Sequence, residues 1–316
     1  MSRFRPFLLL LVVLALFCEG CGPTIIKVPI TKPAEINLKG IKKIAVGDIS
    51  GFMGRDFADE LTTALFNSGR YEVLDRQNLY SILKEQNLSW DGITDPEQSA
   101  QLGAVIGAAA LVVGRVSEYP YNEEMTYSDG KNKDGSTYRI YTRKGKAKLV
   151  INLKVVEVQT GKILATKQFS SSYEQEKWEK NQHPASIDTV GLYKACRGKI
   201  VEDFMKTIAP YEVYSHMKFY SDSKIPELEK GISMAKIGNW EGAKAHFQSA
   251  VDKNPDSWKA HFDLATAYKC TGDYEQAIGI FTKAYAIESK PEISSEIDYC
   301  KKRIEEEKKL KEQMEE

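Results

Sequence analysis

The segment from residue 231 to residue 250 recurs 34 positions later in the chain, at residues 265–284. A repeat of this length is the signature of paired helices that stack into an array. Small residues allow the two helices of a pair to approach closely, while a phenylalanine fills the space to the next pair. The recurring positions are Gly231, Met234, Gly238, Ala243, Phe247 and Ala250 in the first copy, and Ala265, Tyr268, Gly272, Ala277, Phe281 and Ala284 in the second.

With Pro255 after the first copy, this pattern resembles the tetratricopeptide repeat. It predicts a small all-α domain of two repeats at 224–291, followed by a capping helix and charged tail at 292–316. The resemblance implies that protein partners bind in the concave groove of the repeats; alternatively, two repeats only extend the scaffold or pack on their own first domain. The predicted cap has an apolar stripe at helical spacing: Ile293, Ile297, Cys300 and Ile304.

Composition excludes several classes of function. The 44 basic and 44 acidic residues balance, so no cationic footprint for nucleic acid is expected. Four histidines, none at ligand spacing with cysteine or carboxylate, predict neither a metal nor a cofactor site. Of the three cysteines expected after processing, Cys270 and Cys300 are candidates for a disulfide or, alternatively, buried thiols.

The amino terminus is predicted to be a targeting signal. Arg3 and Arg5 precede an apolar run of 11 residues at 7–17, too short to span a bilayer as a helix. Gly20 before Cys21 resembles a bacterial lipoprotein processing site, so residues 1–20 are predicted to be removed and Cys21 to be lipidated. The alternative is a cleaved secretory signal with an unmodified Cys21.

Residues after the signal are predicted to tether the protein to a membrane. Gly22 resembles the outer-membrane sorting pattern, which implies an anchor in the outer membrane facing the periplasm. Residues 21–39 contain three prolines among β-branched residues and are predicted to be an extended tether. Fully stretched, such a segment spans about 60 Å.

Residues 40–215 are predicted to form an α/β domain. Apolar runs such as 41–49 and 148–158 predict strands, and helical spacing of apolar residues separates several of them. Three glycines at 47, 51 and 54 lie between the first strand and the first helix. A phosphate-binding loop is the alternative interpretation, but the spacing lacks a G-x-G or a Lys-Ser/Thr pair, so a turn that requires positive φ is favoured.

Four segments of this domain resemble the CsgG/HfaB family of curli-type assembly and secretion lipoproteins. They are IKKIAVGD at 41–48, LFNSGRYEVLDRQNLYSILKEQNL at 65–88, SAQLGAVIGAAALVVGRVSEY at 99–119 and LVINLKVVEVQTG at 149–161. The resemblance implies a layered α+β sheet similar to the amino-terminal domain of TolB and to the LpoB lipoproteins. It further implies an outer-membrane envelope role, homo-oligomerisation and no catalytic residues.

The family's best-known members form rings in which each copy contributes two β-hairpins to a shared membrane pore. The first matching insertion, between residues 119 and 146, has apolar positions suited to one face of such a hairpin. They are Tyr119, Tyr121, Met125, Tyr127, Tyr138 and Ile140. Glu123 interrupts this set, and the second insertion, 163–193, carries Lys167 and a polar stretch from 174 to 182. Solvated hairpins on a periplasmic body are therefore the favoured alternative.

The sequence as a whole predicts a non-enzymatic envelope lipoprotein. Its leading function is as a component of an outer-membrane assembly or secretion complex of the curli-transport type, with the repeats binding a protein partner. The alternative is an LpoB-like periplasmic activator or scaffold that binds an envelope enzyme without forming a pore.

Overall fold

The computed structural model describes residues 22–38, 40–85, 88, 95–107 and 109–314. The predicted signal segment and Cys21 lie outside these residues. The described chain divides into two compact units. We call residues 34–210, together with 312–314, the sheet unit, and residues 22–33 with 211–311 the repeat unit.

Eight strands and nine helices make up the described chain. The strands are β1 (Thr24–Lys32), β2 (Lys43–Ser50), β3 (Glu72–Leu74), β4 (Ala109–Glu118), β5 (Tyr121–Lys131), β6 (Thr137–Glu157), β7 (Ile163–Lys180) and β8 (Tyr211–Phe219). The helices are α1 (Gly54–Asn67), α2 (Arg76–Glu85), α3 (Pro96–Ile106), α4 (Thr189–Ile208), α5 (Pro226–Lys236), α6 (Trp240–Lys253), α7 (Trp258–Cys270), α8 (Tyr274–Ile287) and α9 (Pro291–Met314).

The sheet unit is a mixed sheet covered by helices. Strand β2 pairs parallel with β3 and β4, and β6 pairs antiparallel with β4, β5 and β7. Along β6, residues 150–157 pair with β4 and residues 137–147 pair with β5, so these two strands share one edge of β6. Strand β7 occupies the opposite edge over residues 140–156 of β6.

Apolar residues on both faces of the sheet hold the helices. On one face, Phe57 of α1 and Phe204 of α4 are buried with Ile151 of β6. On the other face, Leu102 of α3 and Leu83 of α2 are buried with neighbouring β-strand residues. This α/β layer followed by stacked helices confirms the predicted fold class.

The glycines before α1 have a steric explanation. Gly51 has a φ of +95° and Met53 a φ of 56°, so the chain turns through the left-handed region. A Cβ atom on Gly54 would lie 1.9 Å from the carbonyl oxygen of Ile49. The loop therefore requires glycine to return the chain onto the sheet, in agreement with the favoured interpretation of the glycines as a turn.

The repeat unit combines a two-stranded antiparallel ribbon, β1 and β8, with helices α5 to α9. The ribbon pairs all nine residues of each strand, from Thr24 opposite Phe219 to Lys32 opposite Tyr211. Side-chain caps begin two of the helices: Asn239 accepts from the Gly242 N–H at 2.9 Å, and Ser257 accepts from the Ala260 N–H at 3.3 Å. No helix among the described residues is both long and apolar enough to cross a bilayer.

Two predicted boundaries are corrected by the structure. The predicted tether is not free chain, because residues 24–32 pair along their whole length with β8. The predicted α/β domain ends too late, because residues from Tyr211 onward belong to the repeat unit. In both cases the partner strand lies far away in sequence, so the alternating pattern predicted extended chain but not its partner.

Candidate functional site

The repeat residues identified from the sequence form the interior of the helix stack. Ala243, Phe247, Ala250, Ala265, Ala277, Phe281 and Ala284 are fully buried. A Cβ atom on Gly231 would lie 2.3 Å from the Phe247 ring, so glycine is needed where the paired helices approach. Gly238 and Gly272 have φ values of +75° and +83° and occupy the turns between paired helices. Pro255 lies before α7, at the start of the second repeat, and Tyr268 lies on α7.

The concave face of the repeats is covered by the ribbon. In stacked helix pairs, the first helix of each pair lines the concave binding face. Here those helices include α5 and α7, and the inner side chains of the ribbon pack against both. Val28, Met217 and Phe219 of the ribbon are buried with Leu228 of α5 and Leu264 of α7. The predicted binding groove is therefore filled by the chain itself.

Phe219 provides the main contact at one end of the ribbon. Its ring is fully buried and stacks on Phe247 with centroids 5.6 Å apart. Tyr220, the next residue, donates its backbone N–H to Asp263 at 2.8 Å and its hydroxyl to Glu292 at 2.8 Å. Its ring centroid lies 5.0 Å from that of Trp258. This end of the ribbon is thus fixed to α6, α7 and α9.

The other end of the ribbon is held by charged groups of α9. Arg303 is only 3% exposed and donates to the Thr31 carbonyl at 3.1 Å, to Glu306 at 2.6 Å and to the Tyr274 hydroxyl at 3.3 Å. Lys32 of β1 pairs with the same Glu306 at 3.3 Å. Arg303 lies in the charged tail predicted from the sequence, but its side chain is buried against the ribbon.

Buried polar residues on α7 were not identified from the sequence. Asp263 is fully buried, with one carboxylate oxygen bonded to Tyr220 and the other, like the Thr266 hydroxyl, without a hydrogen-bond partner. Lys269 is buried and pairs with Glu296 at 2.5 Å. Apolar residues lie around most of the circumference of α7, a pattern that indicates that further elements cover the helix.

The second candidate surface is a three-stranded arm formed by residues 121–147 and 173–180. The register places Tyr127 opposite Tyr141, and Gly130 opposite Tyr138. Because side chains alternate along a strand, Met125 and Tyr127 lie on one face, which we call the first face, while Tyr138 and Ile140 lie on the second face. Tyr138 and Ile140 thus share a face, as predicted for the return strand, but that face is opposite to the one that carries Met125 and Tyr127.

Tyr119 and Tyr121 lie at the base of the arm. Tyr119 precedes β5 and stacks on Phe52, with ring centroids 4.5 Å apart. Tyr121 begins β5 and donates its hydroxyl to Glu123. Neither ring reaches the distal part of the arm.

Both faces of the arm carry ion pairs. On the first face, Arg139 donates two hydrogen bonds to Asp129, at 2.6 and 2.9 Å, and lies 4.0 Å above the Tyr127 ring. These bonds hold the pKa of Asp129 below its usual value. On the second face, Lys144 pairs with Glu174 at 3.3 Å. Trp178, also on that face, is 64% exposed. The arm is thus a largely charged surface with a few exposed aromatic rings.

The three described cysteines are free thiols, with Cys196 and Cys300 buried and Cys270 half-buried, so the structure agrees with the alternative of free thiols. Burial raises the pKa of Cys270 and of Cys300 to about 12. Because only the thiolate reacts, a rise from 9.0 to about 12 lowers the reactive fraction about a thousandfold. We expect both thiols of the folded protein to react slowly with a disulfide reagent at neutral pH, and rapidly in guanidinium. Fast labelling of the folded protein, read by mass spectrometry, would contradict this expectation.

In the described ranges, no group of three or more His, Cys, Asp or Glu side chains is arranged to hold a metal ion. Three surfaces of the described chain are candidates for binding a partner: the covered repeats, the exposed turn between α5 and α6, and the arm. In that turn Ile237 is 75% exposed, and Trp240 follows three residues later.

Family models match both parts of the chain. The family model for the curli production assembly/transport component CsgG matches residues 38–183, and a tetratricopeptide repeat model matches residues 236–294. Both agree with the resemblances found in the sequence. No curated protein sequence matches the chain.

Several solved structures show weak likeness. The LpoB carboxyl-terminal domain from Salmonella enterica is 15% identical, covering 42% of this chain and 86% of that chain, with a TM-score of 0.27. Lipoprotein GNA1162 from Neisseria meningitidis is 12% identical, covering 52% and 94%, with a TM-score of 0.28. A PelC dodecamer from Paraburkholderia phytofirmans is 12% identical, covering 59% and 99%, with a TM-score of 0.26. Likeness at this level does not bear on function.

Proposed function

We propose that this chain, which carries a CsgG-family domain and a tetratricopeptide repeat, is a non-enzymatic lipoprotein of the bacterial cell envelope. A lipid on Cys21 attaches it to the outer membrane, and its folded part faces the periplasm. The sheet unit assembles with further copies as part of an outer-membrane assembly or secretion complex of the curli-transport type. The repeat unit binds a protein partner.

The proposal is supported by the agreement between the residues that the family model matches and the sheet unit. Residues 38–183 include every strand of the sheet unit, and the family is described by assembly and transport, not by a reaction. The surfaces in the described ranges are consistent with binding: an arm rich in ion pairs and a repeat stack with an exposed apolar turn.

The partner is proposed to bind outside the concave face, because the ribbon fills that face. The turn between α5 and α6 is the proposed contact point. Ile237 has the largest exposed fraction of the bulky apolar residues in the described chain, and such a residue beside a tryptophan is typical of a small binding hot spot.

A second function is favoured by the arm. Charged pairs on both of its faces, such as Arg139 with Asp129 and Lys144 with Glu174, suit a solvated arm that contacts another protein. This favours the alternative of an LpoB-like activator or scaffold, which binds an envelope enzyme without forming a pore.

Photo-crosslinking in cells tests both functions. A benzophenone amino acid is placed at Ile237 in the exposed turn, at Trp178 in the arm, or at Gln248 on α6 as an exposed control. We expect position 237 to give a discrete crosslink to one other protein that position 248 lacks. A crosslink between two copies of the chain at position 178 supports the assembly role, and its absence, with the 237 product retained, supports the activator role. Absence of crosslinks at both 237 and 178 contradicts the proposed function.

A further inference from the structure

We infer that the repeat unit rests on the phospholipid surface through one end, the end that contains Trp258. This inference rests on the proposed lipid at Cys21. We call this the lipid end and define it by Thr24 and Tyr220 of the ribbon region, Trp258, and the two turns that precede Trp258 and Pro291. The opposite end, which contains Ile237, Trp240 and Tyr274, we call the free end.

The chain between the lipid and the fold is short. Strand β1 begins at Thr24, three residues after Cys21, and from that point it is paired with β8. Three extended residues span at most about 10 Å. The ribbon therefore begins within about 10 Å of the lipidated residue, instead of the 60 Å that a free tether would allow.

The lipid end is built around the first residue pair of the ribbon. Thr24 is paired with Phe219, and Tyr220 follows directly. The Tyr220 ring lies 5.0 Å from Trp258, and Lys290 lies 4.4 Å above the Trp258 ring. Trp258 is only half-buried, so part of its ring faces solvent. Tryptophan and lysine, with their polar tips, are side chains that settle at the headgroup level of a bilayer.

Exposed apolar residues add to this end. Ile25, next to the first ribbon pair, is 56% exposed, and Ile287 at the carboxyl end of α8 is 39% exposed. The lysines nearby are balanced by acids. Lys259 pairs with Asp222 at 3.1 Å, Lys224 faces the same carboxylate, and Lys290 pairs with Glu288 at 3.0 Å. Asp256 and Glu292 lie at the same end. The lipid end thus has no excess of positive charge, and its position on the bilayer depends on the anchor and on apolar contact, not on anionic lipids.

The helix directions place the free end far from the bilayer. Helix α6 runs from Trp240 at the free end to Lys253 beside the lipid end, and its 14 residues are about 20 Å long. At the ribbon's other end, Arg303 of α9 contacts both Thr31 and Tyr274, so the ribbon extends from the lipid end to the free end. The exposed turn at Ile237 then points away from the lipid surface, where a partner can reach it.

Tryptophan depth in vesicles tests this orientation. The full-length lipidated chain is prepared in two single-tryptophan forms and inserted into vesicles of zwitterionic lipid brominated near the headgroup. One form keeps Trp258 and carries Trp90→Phe, Trp178→Phe and Trp240→Phe; the other keeps Trp240 and carries Trp258→Phe with the first two changes. We expect roughly twofold quenching of Trp258, because tryptophan settles at the headgroup level, and no measurable quenching of Trp240.

A second measurement needs no substitution in the repeat unit. Lysines of the native lipidated chain are acetylated with and without vesicles and read by mass spectrometry. We expect Lys224 and Lys290 at the lipid end to be protected by vesicles, and Lys236 beside the free end to be labelled equally in both samples. Equal labelling of all three lysines, or stronger quenching of Trp240 than of Trp258, overturns the inferred orientation.

The outcomes separate this inference from the proposed function. Cys21→Ser is expected to abolish both vesicle binding and Trp258 quenching, because the lipid end does not bind bilayers without its anchor. A protein that carries the lipid and binds vesicles, but shows no protection or quenching at the lipid end, overturns the orientation and leaves the lipoprotein assignment intact. A mature protein without an acyl chain on Cys21 overturns both.

Discussion

Phe219→Ala is expected to destabilise the repeat unit by about 3–5 kcal/mol, the usual loss for a buried phenylalanine truncated to alanine. The ring is fully buried and stacks on Phe247, so its removal leaves a cavity between the ribbon and the repeat helices. Urea unfolding monitored by hydrogen exchange of the α5–α7 amides measures this loss, and it reports the repeat unit separately from the sheet unit.

The same strand offers a matched control for Phe219. Tyr214 also lies on β8 but is 70% exposed, so Tyr214→Ala is expected to change stability by no more than about 0.5 kcal/mol. If the two variants unfold at the same urea concentration, the ribbon is not part of the repeat core. That result would leave the concave face of the repeats open to partners.

Asp263→Asn is expected to stabilise the repeat unit at neutral and mildly alkaline pH. Burial raises the pKa of Asp263 well above its ordinary 3.8, because the charged carboxylate is removed from water and has one oxygen without a partner. The Tyr220 N–H and the Lys259 charge oppose this rise, but burial is the larger effect. An asparagine side chain keeps an oxygen that can accept from the Tyr220 N–H, and it is neutral at every pH.

The direction of the pH dependence follows from the raised pKa of Asp263. The unfolded chain releases this proton near pH 3.8, while the folded chain holds it to higher pH. The stability that the protonated group contributes is therefore complete below that pH and is lost as the pH rises through the folded pKa. Asparagine removes this loss, so the gain from Asp263→Asn should grow as the pH rises above 3.8.

Urea unfolding of the repeat unit at a series of pH values checks this expectation. A control is Asp256→Asn, since Asp256 is an exposed residue in the turn before α7. The control should show no pH-dependent gain. An Asp263→Asn gain that is constant with pH, or a loss at neutral pH, would contradict the raised pKa.

Much of the fold was predictable because its signals are local. The 34-residue repeat predicted paired helices, and the small residues Gly231 and Ala265 mark their close approach. Two helix starts in the sheet unit also follow a local rule, since Asp95 and Asp188 cap α3 and α4 with their side chains. The layered sheet was predicted from the family resemblance.

The remaining features depend on contacts between distant residues. The alternating pattern at 24–32 indicates extended chain, but nothing local shows that it pairs with residues 211–219. The same holds for the arm, where the pairing of Tyr127 with Tyr141 depends on the turn at 132–136 and decides which rings share a face. From the sequence alone, Asp263 and Arg303 would be predicted to be surface charges. In the structure both are buried, next to the ribbon.

The pairing of β1 with β8 makes the sheet unit an insertion within the repeat unit. The last ribbon pair, Lys32 with Tyr211, brings together the points where the chain leaves and re-enters the repeat unit, although 178 residues lie between them. An insertion with adjacent ends can gain, lose or exchange sequence without changing the strand register around it. Evolution can therefore vary the inserted sheet while the helical repeat unit around it keeps its structure.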